Sequence, residues 1–421
     1  MTSSSERSGR AGPVPRTLGA PLALAGIRVA DFTHFIAGPL CSMILGDLGA
    51  EVIKIEKRDG GDDFRRLPPK LTEQEGAPFL WCNRNKKSIA LDLKRPDGIE
   101  VARAIIARSD ILIENFSTGV MAKFGFDYAT LAARDPRLIY ASVSAYGRSG
   151  PLRNRAGFDP IVQAEAGFMS LNGDPAGAPV RAGPSIVDIN TATMTSNAIL
   201  AALFARQRLG RGQYIESALY DAAVTELGFH AMSYLASGRE PIRSGNNSRD
   251  AVPCNSFDTA DGPIFVDCAT DRTWNKMAMF VMQRPDLASD PNYATAASRV
   301  TNRDTLVPMI AALLKTRPRA HWLHLMWEVG VPAGAINSLA QAFSSDEMAS
   351  RDVVHAIPHP VLGSVPNIRL PFTMEGTPLA DPVAAPTLSQ HAIEVLRDVV
   401  GYDRARIEAL LASGVVARPT V

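Results

Sequence analysis

The sequence predicts an α/β protein with a mostly parallel, doubly wound sheet in a large domain and a smaller α+β domain. Short runs rich in Val and Ile alternate with helical segments in the first half of the chain, which is the pattern of βαβ units. A polar, glycine-containing stretch at 239–248 interrupts this alternation, and a hairpin pattern follows it. The length of 421 residues accommodates two domains, or one domain with a large insertion.

Five short apolar runs are predicted as strands of the large domain. They occupy residues 27–32, 51–56, 110–114, 138–144 and 213–219. Helical spacing is found at 39–48 and at 96–109. A longer Ala-, Leu- and Thr-rich run over 188–207 predicts a buried helix, which Gly210 ends. Because helices separate consecutive strands, most of the strands are expected to run parallel.

The second half of the chain has a different pattern. Residues 256–266 predict a β-hairpin with its turn at Asp261-Gly262. Helical patterns follow at 274–282 and 304–315, and a polar C-terminal helix is expected at 392–412. The expected organisation is a disordered tail at 1–20, the first part of the large domain at 21–225, a linker at 226–250, the small α+β domain at 251–337, and a linker with the return to the large domain at 338–421.

Composition and charge are ordinary for a globular protein. Hydrophobic residues make up 46%, charged residues 21%, and the net charge is +1, so no global attraction to nucleic acid or to a membrane surface is expected. No apolar stretch reaches the roughly 20 residues that span a bilayer, and no signal peptide is expected. The four cysteines show no C-x-x-C spacing, which disfavours zinc and disulfide frameworks and fits a cytoplasmic location.

Asp188 is the most informative residue, because of the motifs that precede it. It ends the run Arg181-Ala-Gly-Pro-Ser-Ile-Val-Asp, and taken alone it is compatible with a helix N-cap. Upstream stand Asp31-Phe-Thr-His-Phe-Ile-Ala-Gly-Pro39, Asn83-Arg-Asn-Lys-Lys-Ser-Ile-Ala-Leu-Asp92, Ile113-Glu-Asn-Phe116 and Ala156-Gly-Phe-Asp159. In this order and at these distances, the motifs resemble those of the class III CoA-transferase family.

The resemblance implies a fold, an assembly and a reaction. The fold is a Rossmann-like sheet built from both chain ends with a smaller middle domain, and the assembly is an interlocked homodimer. The reaction moves CoA from an acyl-CoA to a free carboxylic acid, with Asp188 as the covalent nucleophile and with neither metal nor redox cofactor. By the same resemblance, the residues expected to bind CoA or the thioester are His34, Phe35, Ile36, Ala37, Lys57, Leu91, Lys94, Asn115, Phe116, Lys123 and Phe124.

Several motifs bear on the substrate. Residues 83–90 and the triplet Gly157-Phe158-Asp159 look similar to those of family members that use succinate and other dicarboxylates. Ile36 stands where members that use formyl-CoA have glutamine, and isoleucine cannot hydrogen-bond a small oxoanion. Four arginines are candidates for a second substrate carboxylate, and the sequence does not choose among them: Arg65, Arg148, Arg153 and Arg181.

Other interpretations remain open at this stage. An acyl-CoA racemase would need a histidine where Phe158 stands, and a non-catalytic CoA-binding protein would not use Asp188. Asp174 is a rival nucleophile, although Asn172-Gly-Asp-Pro175 is a turn signature, and Asp159 can be a local hydrogen-bonding residue. Three further features have plain alternatives: a mobile cover or an ordinary loop at 244–248, a solvated face at Lys86-Lys87, and surface or packing roles for His321 and His324.

Overall fold

The structure, a computed structural model, describes residues 20–73 and 75–419. The tail expected at 1–20 lies outside this range except for its last residue. Contacts divide the chain into two units. Of the described residues, the large unit comprises those up to Ala166, then Ala182–Ala231, and those from Asp346 onward. The small unit comprises Gly167–Arg181 and Met232–Ser345.

The strands, in chain order, are β1 (Arg28–Asp31), β2 (Glu51–Lys57), β3 (Lys86–Leu91), β4 (Ile111–Glu114), β5 (Ile139–Ser144), β6 (Tyr214–Ala218), β7 (Cys254–Asp258), β8 (Pro263–Asp267), β9 (Ala333–Ala335), β10 (Val354–His359) and β11 (Gly363–Ile368). The first six form one sheet in the order β3-β2-β1-β4-β5-β6, and every pair in it is parallel. The predicted α/β class with a parallel sheet is confirmed. Strand β3 was not predicted, although its residues belong to the motif at 83–92.

The helices of the first half are α1 (Ala37–Asp47), α2 (Ala77–Asn83), α3 (Pro96–Ile106), α4 (Val120–Lys123), α5 (Tyr128–Ala132), α6 (Asp159–Glu165), α7 (Phe168–Leu171), α8 (Ile186–Leu209), α9 (Leu219–Glu226) and α10 (Gly228–Ser237). Those of the second half are α11 (Asp271–Lys276), α12 (Pro285–Ser289), α13 (Ala296–Thr301), α14 (Arg303–Leu314), α15 (Arg319–Val329), α16 (Leu339–Phe343), α17 (Asp346–Ser350), α18 (Ala392–Glu394) and α19 (Arg404–Ala412). A 3₁₀ turn at Asp63–Arg66 and π-helical turns at Met277–Val281 and Val395–Val400 complete them. Among the described residues no helix is both long and apolar enough to cross a membrane.

The six-stranded sheet is covered on both faces, which explains why consecutive residues of its central strands β1 and β4 are buried. Adjacent residues of β1 belong to different core clusters. Val29 packs with residues of α1 and α8, whereas Ala30 packs with residues of α3 and of the π-helical turn Val395–Val400. Two layers of helices therefore enclose the sheet, and its carboxyl edge is left for loops.

The C-terminal segment covers β3, the edge strand of the sheet. The Asp92 N–H donates to Val415 O and the Ala417 N–H donates to Ala90 O, each at 2.9 Å. The Ala90 N–H donates to Ser389 Oγ at 3.2 Å, a contact between residues 299 positions apart in the chain. Both chain ends therefore build the large unit.

The continuous helix predicted at 392–412 was wrong. Gly401 ends the π-helical turn with a φ of 83°, a left-handed conformation that glycine adopts without steric cost. Asp403 then caps α19 by accepting a hydrogen bond from the Arg406 N–H at 2.8 Å. The chain changes direction between these two residues.

The small unit contains a three-stranded antiparallel sheet, β7-β8-β9, against which helices pack around the fully buried Trp274. The predicted hairpin is present, with Asp261 and Gly262 in its loop. The helix predicted at 274–282 is instead α11 followed by the π-helical turn Met277–Val281. Residues 226–250, expected as a linker, contain α10, and the expected continuation at 338–421 contains the hairpin β10-β11.

Candidate active site

The sheet order creates a crevice between β1 and β4. On one side of this crevice the sheet continues through β2 and β3, and on the other through β5 and β6, so the strand order reverses between β1 and β4. In such sheets ligands bind at the carboxyl ends of the strands at this switch point. His34 and Asn115 follow β1 and β4 and bond to each other across the crevice. The His34 N–H donates to Asn115 Oδ1 at 3.0 Å, and Asn115 Nδ2 donates to His34 O at 2.8 Å. The two loops are thereby fixed to one another.

Buried charges hold the β1–α1 loop in an unusual conformation. Phe35 has a φ of 64°, which is costly for a bulky residue, and its N–H donates to Asp62 Oδ1 at 3.1 Å. Lys54 pairs with Asp62 at 3.0 Å and donates to Thr33 O at 2.7 Å. Gly38 allows α1 to start against this loop, because a Cβ there would overlap Thr33.

A second buried pair, Asp31 with Lys86, anchors the same loop. Lys86 Nζ donates to Asp31 Oδ2 at 3.0 Å, and Ser42 Oγ donates to the same oxygen at 2.6 Å. Burial alone would raise the pKa of Asp31, but Lys86, Lys54 and the hydrogen bonds outweigh it and lower that pKa to about 2. The interpretation of Lys86 as a solvated residue is wrong; Lys87 is half-exposed and pairs with Glu51 at 2.7 Å.

Asp188 lies in the first turn of α8, and a different residue caps that helix. Asp159 Oδ2 accepts the N–H groups of Val187 at 2.9 Å and of Asp188 at 3.2 Å, while Asp159 Oδ1 accepts from Gln163 Nε2 at 2.6 Å. The N-cap interpretation of Asp188 is therefore wrong, and that of Asp159 as a local hydrogen-bonding residue is confirmed. Within the described part of the chain, no hydrogen bond involves the Asp188 carboxylate.

The environment of Asp188 makes its carboxyl group a weaker acid than that of an ordinary aspartate. Burial disfavours the ionised form, and the negative charge of Asp159 disfavours it further, so the pKa of Asp188 rises to about 7. A perturbed carboxyl group in a concave site is the type of residue that catalysis uses.

A cavity of about 460 Å³ in the large unit brings Asp188 together with the two crevice loops. Of the site residues expected from the sequence, those that line it are His34, Phe35, Ile36, Ala37, Asn115, Phe116 and Asp188. Further lining residues to which sequence reasoning assigned no role in the site include Phe64, Leu67, Tyr146, Asn154 and Ser185. Phe158 also lines the cavity, and its ring packs edge-on against Phe35 at 5.3 Å.

The other five expected CoA-binding residues do not line this cavity. Lys57 ends β2 and pairs with Asp63 at 2.6 Å, while Lys94 and Lys123 are exposed. Phe124 packs partly buried against the core, and the Leu91 side chain is only 1% exposed within it. The Leu91 side chain therefore presents almost no surface to a ligand in this conformation.

The four candidate arginines differ in their availability. Arg65 is buried and forms a fork with Glu56, with Nε and Nη2 at 2.8 Å from its two oxygens. Arg148 donates to Ser142 Oγ, to Phe116 O and to Glu114 Oε1, so its guanidinium already positions protein groups. Arg153 is exposed at the cavity and donates to Gly150 O at 3.2 Å, whereas Arg181 belongs to the small unit.

The rival features have structural explanations. Asp174 is an exposed turn residue that accepts from the Ala176 N–H at 2.9 Å, as the turn signature predicted. His321 packs against Trp322, and His324 lies 3.3 Å from Glu328 on the same helix. Over residues 20–73 and 75–419, no three His, Cys, Asp or Glu side chains form a group that could hold a metal ion.

The family model described as CoA-transferase family III matches residues 24–392. The chain belongs to this family. The predicted family and the enzyme class, a CoA-transferase that uses acyl-CoA, are therefore established.

Relatives of the enzyme act on dicarboxylates, according to their names. It is 36% identical to succinyl-CoA:glutarate CoA-transferase of Mus musculus, over 93% of this chain and 90% of that protein. It is 35% identical to succinyl-CoA:mesaconate CoA-transferase of Haloarcula hispanica, over 92% of this chain and 99% of that protein. Among solved structures, a CAIB/BAIF family protein from Brucella suis matches with a TM-score of 0.81 and 34% identity, covering 90% of this chain and all of that one.

Proposed function

We propose that the enzyme transfers CoA from succinyl-CoA to a second dicarboxylic acid through a covalent aspartyl-CoA thioester on Asp188. The observation that carries this proposal is the Asp188 carboxylate, which lies at the switch-point cavity and accepts no hydrogen bond from the described residues. The named substrates of the relatives support succinyl-CoA and a dicarboxylic acceptor.

The reaction balances without a metal or an oxidant. An Asp188 oxygen attacks the thioester carbonyl and the C–S bond breaks. CoA thiolate is released, and a mixed anhydride of Asp188 and the succinyl group remains. The thiolate then attacks the aspartyl carbonyl, which releases succinate and forms the aspartyl-CoA thioester. The acceptor carboxylate repeats both steps in reverse order and leaves as its CoA ester, which restores Asp188 as a carboxylate.

The start of α1 would stabilise the oxyanion that forms at the thioester carbonyl. Ile36 and Ala37 line the cavity, and α1 has no side-chain cap, so its first backbone N–H groups remain for a ligand. The helix dipole adds positive potential at the same end.

The exposed lysines near the carboxyl edge of the sheet would hold the CoA phosphates. Lys57 ends β2, Lys94 follows β3, and Lys123 ends α4 after β4. Ammonium groups attract phosphate as point charges, without the fork geometry of arginine. Of the four candidate arginines, Arg153 would bind the second substrate carboxylate, since it lines the Asp188 cavity and its guanidinium donates to a single group among the described residues, Gly150 O.

The active form would be a homodimer. None of the ten residues of α10 is buried, and Phe229, Met232 and Leu235 recur at every third position, which places them along one side of the helix. A helix with this exposed apolar surface needs a partner, and a second copy of the chain would supply one.

Intact-protein mass spectrometry after mixing with succinyl-CoA and hydroxylamine tests the covalent step. Hydroxylamine converts an aspartyl anhydride or thioester into a stable hydroxamate. We expect the wild-type enzyme to gain this mass at Asp188 and the Asp188→Asn variant to gain none. Asp174→Asn, at the exposed turn, is the matched control and should react like the wild type.

A negative result separates the alternatives. If succinyl-CoA and a panel of other acyl-CoA donors leave no adduct although CoA binds, the covalent mechanism is wrong. Solvent deuterium appearing at the α-carbon of an acyl-CoA without an acceptor acid would then indicate racemase chemistry. Its absence would indicate a protein that only binds CoA.

A further inference from the structure

The small unit contains its own cavity, of about 400 Å³, which shares no lining residue with the Asp188 cavity. It lies between the segment 242–249 and the first turns of α14, with Pro175 at its border. This segment includes 244–248, for which the sequence left a mobile cover and an ordinary loop as alternatives.

Three arginines line this cavity, and no carboxylate pairs with them in the described part of the chain. Arg243 donates to Gly177 O at 2.7 Å, and Arg303 donates to Arg249 O at 3.0 Å and to Ser248 O. The Arg249 guanidinium has no hydrogen bond to the described residues. Because a guanidinium carries five N–H donors, most of these donors are left for a ligand.

The remaining charges leave the cavity positive. Asp304 is the one carboxylate among the lining residues, so three positive charges face a single negative one. The cavity also receives the start of α14, a twelve-residue helix without a side-chain cap, whose dipole adds positive potential there. A concave surface with uncompensated guanidinium groups favours an anion.

The segment that carries Arg243 and Arg249 is held by backbone and side-chain hydrogen bonds. The Gly245 N–H donates to Gly173 O at 3.0 Å, and the Ser248 N–H donates to Cys254 O at 2.9 Å. Asn255 Nδ2 donates to Asn247 Oδ1 at 2.7 Å, and Arg303 bonds the same segment from α14. The segment, Arg243 and Arg303 are therefore held in place before a ligand arrives, which reduces the entropic cost of binding, and the Arg249 side chain is the one that would still be ordered by the ligand.

We infer that this cavity is a binding site for one oxyanionic group, a carboxylate or a phosphate, held by Arg243, Arg249 and Arg303. The inference does not depend on the proposed transferase function, since it concerns binding alone. Free dicarboxylic acids and phosphate-bearing ligands would both present the required group, and the titrations below distinguish them.

Isothermal titration calorimetry of the full-length protein with succinate, and separately with inorganic phosphate, tests the site. Arg249→Gln removes the guanidinium that makes no bond to the described residues, so it should preserve the fold. We expect it to weaken the binding of one of the two anions by at least about tenfold. Arg249→Lys keeps the charge without the fork and should bind with intermediate strength.

Arg272→Gln, at an exposed arginine on α11 outside the cavity, is the matched control and should bind like the wild type. Thermal unfolding of each variant verifies that the fold is intact. A loss confined to succinate assigns the site to carboxylates, and a loss confined to phosphate assigns it to phosphates. Binding of neither anion, or equal binding by the wild type and Arg249→Gln, overturns the inference, and the mass test of Asp188 is unaffected by either result.

Discussion

Asp188 and Asp159 form a pair in which the charge of Asp159 contributes to the raised pKa of Asp188. Asp159 accepts three hydrogen bonds and carries its charge at the start of α8, so it holds the helix end and, after burial, is the second cause of the raised pKa of Asp188. A nucleophile with a pKa near neutrality is more basic than an ordinary aspartate, which strengthens its attack on a thioester.

The pH dependence of kcat/KM follows from this raised pKa. Only the ionised Asp188 can attack, so kcat/KM should rise with pH through about 7 and become level above it. At one pH unit below the pKa, about one tenth of the enzyme carries the reactive carboxylate. Steady-state rates between pH 5 and 9 check this, and a profile already level at pH 5 would contradict it.

Asp159→Asn should move the rising limb of this profile to lower pH. Burial, the larger cause of the raised pKa of Asp188, is unchanged, but the substitution removes the second cause, the negative charge of Asp159, and keeps an oxygen that can accept from the start of α8. Glu226→Gln is the control. Burial, and then the charge of Asp159, raise the pKa of Glu226 to about 7. Because Glu226 does not line the cavity, its replacement should leave the rising part of the kcat/KM profile at the same pH.

At the residue scale, the sequence indicated Asp188 and its motif but not the groups that position it. No local pattern connects Asp159 with the amides of Val187 and Asp188, because folding brings these segments together. Arg65 and Arg148 resembled ligand residues for the same reason: a sequence does not show that protein oxygens already occupy a guanidinium.

At the scale of elements, the β1–α1 loop and the loop after β4 act as one crevice wall because His34 and Asn115 bond reciprocally. The unusual backbone of Phe35 persists because Asp62, itself paired with Lys54, holds its N–H. The loop that would receive the thioester is therefore built on buried charges rather than on local turn preferences.

Asn115→Ala should destabilise the protein by about 1–3 kcal/mol, because it leaves the N–H and C=O of His34 without their partners. The KM for acyl-CoA should rise as well, since both loops line the cavity. Urea unfolding and steady-state kinetics measure the two effects. Asn292→Ala, at an exposed position, should change the stability by less than about 0.5 kcal/mol.

The elements that the sequence predicted well are those with a strong local signal. Strands β1, β2, β4, β5 and β6 are short segments that contain Val, Ile or other strand-forming residues, and helical segments separate most of them. Strand β3 begins with Lys86 and Lys87, and these two charged residues are not typical of a buried strand, so it was not predicted. Only the structure shows that Lys86 is buried against Asp31. The break at Gly401 was missed because the apolar spacing continues on both sides of it.

At the scale of the whole molecule, the proposed homodimer rests on the exposed apolar face of α10. Replacing Phe229 and Leu235 together by Glu should raise the dimer dissociation constant at least a hundredfold, since charges would be buried in an apolar contact. Sedimentation velocity measures the change. Ile393→Glu, at an exposed position on α18, should leave the dimer intact, and a wild-type monomer at micromolar concentration would refute the proposal.

The cover of strand β3 has a consequence for the synthesis of the protein on the ribosome. The Ala90 N–H can bond to Ser389 only after the ribosome has added 299 more residues. At a synthesis rate of roughly 5–20 residues per second, this takes roughly 15–60 s. During that time the nascent chain presents an open strand edge with apolar residues, the kind of surface that other chains pair with. Chaperone demand during translation should therefore be high, and products truncated before residue 389 should aggregate rather than fold.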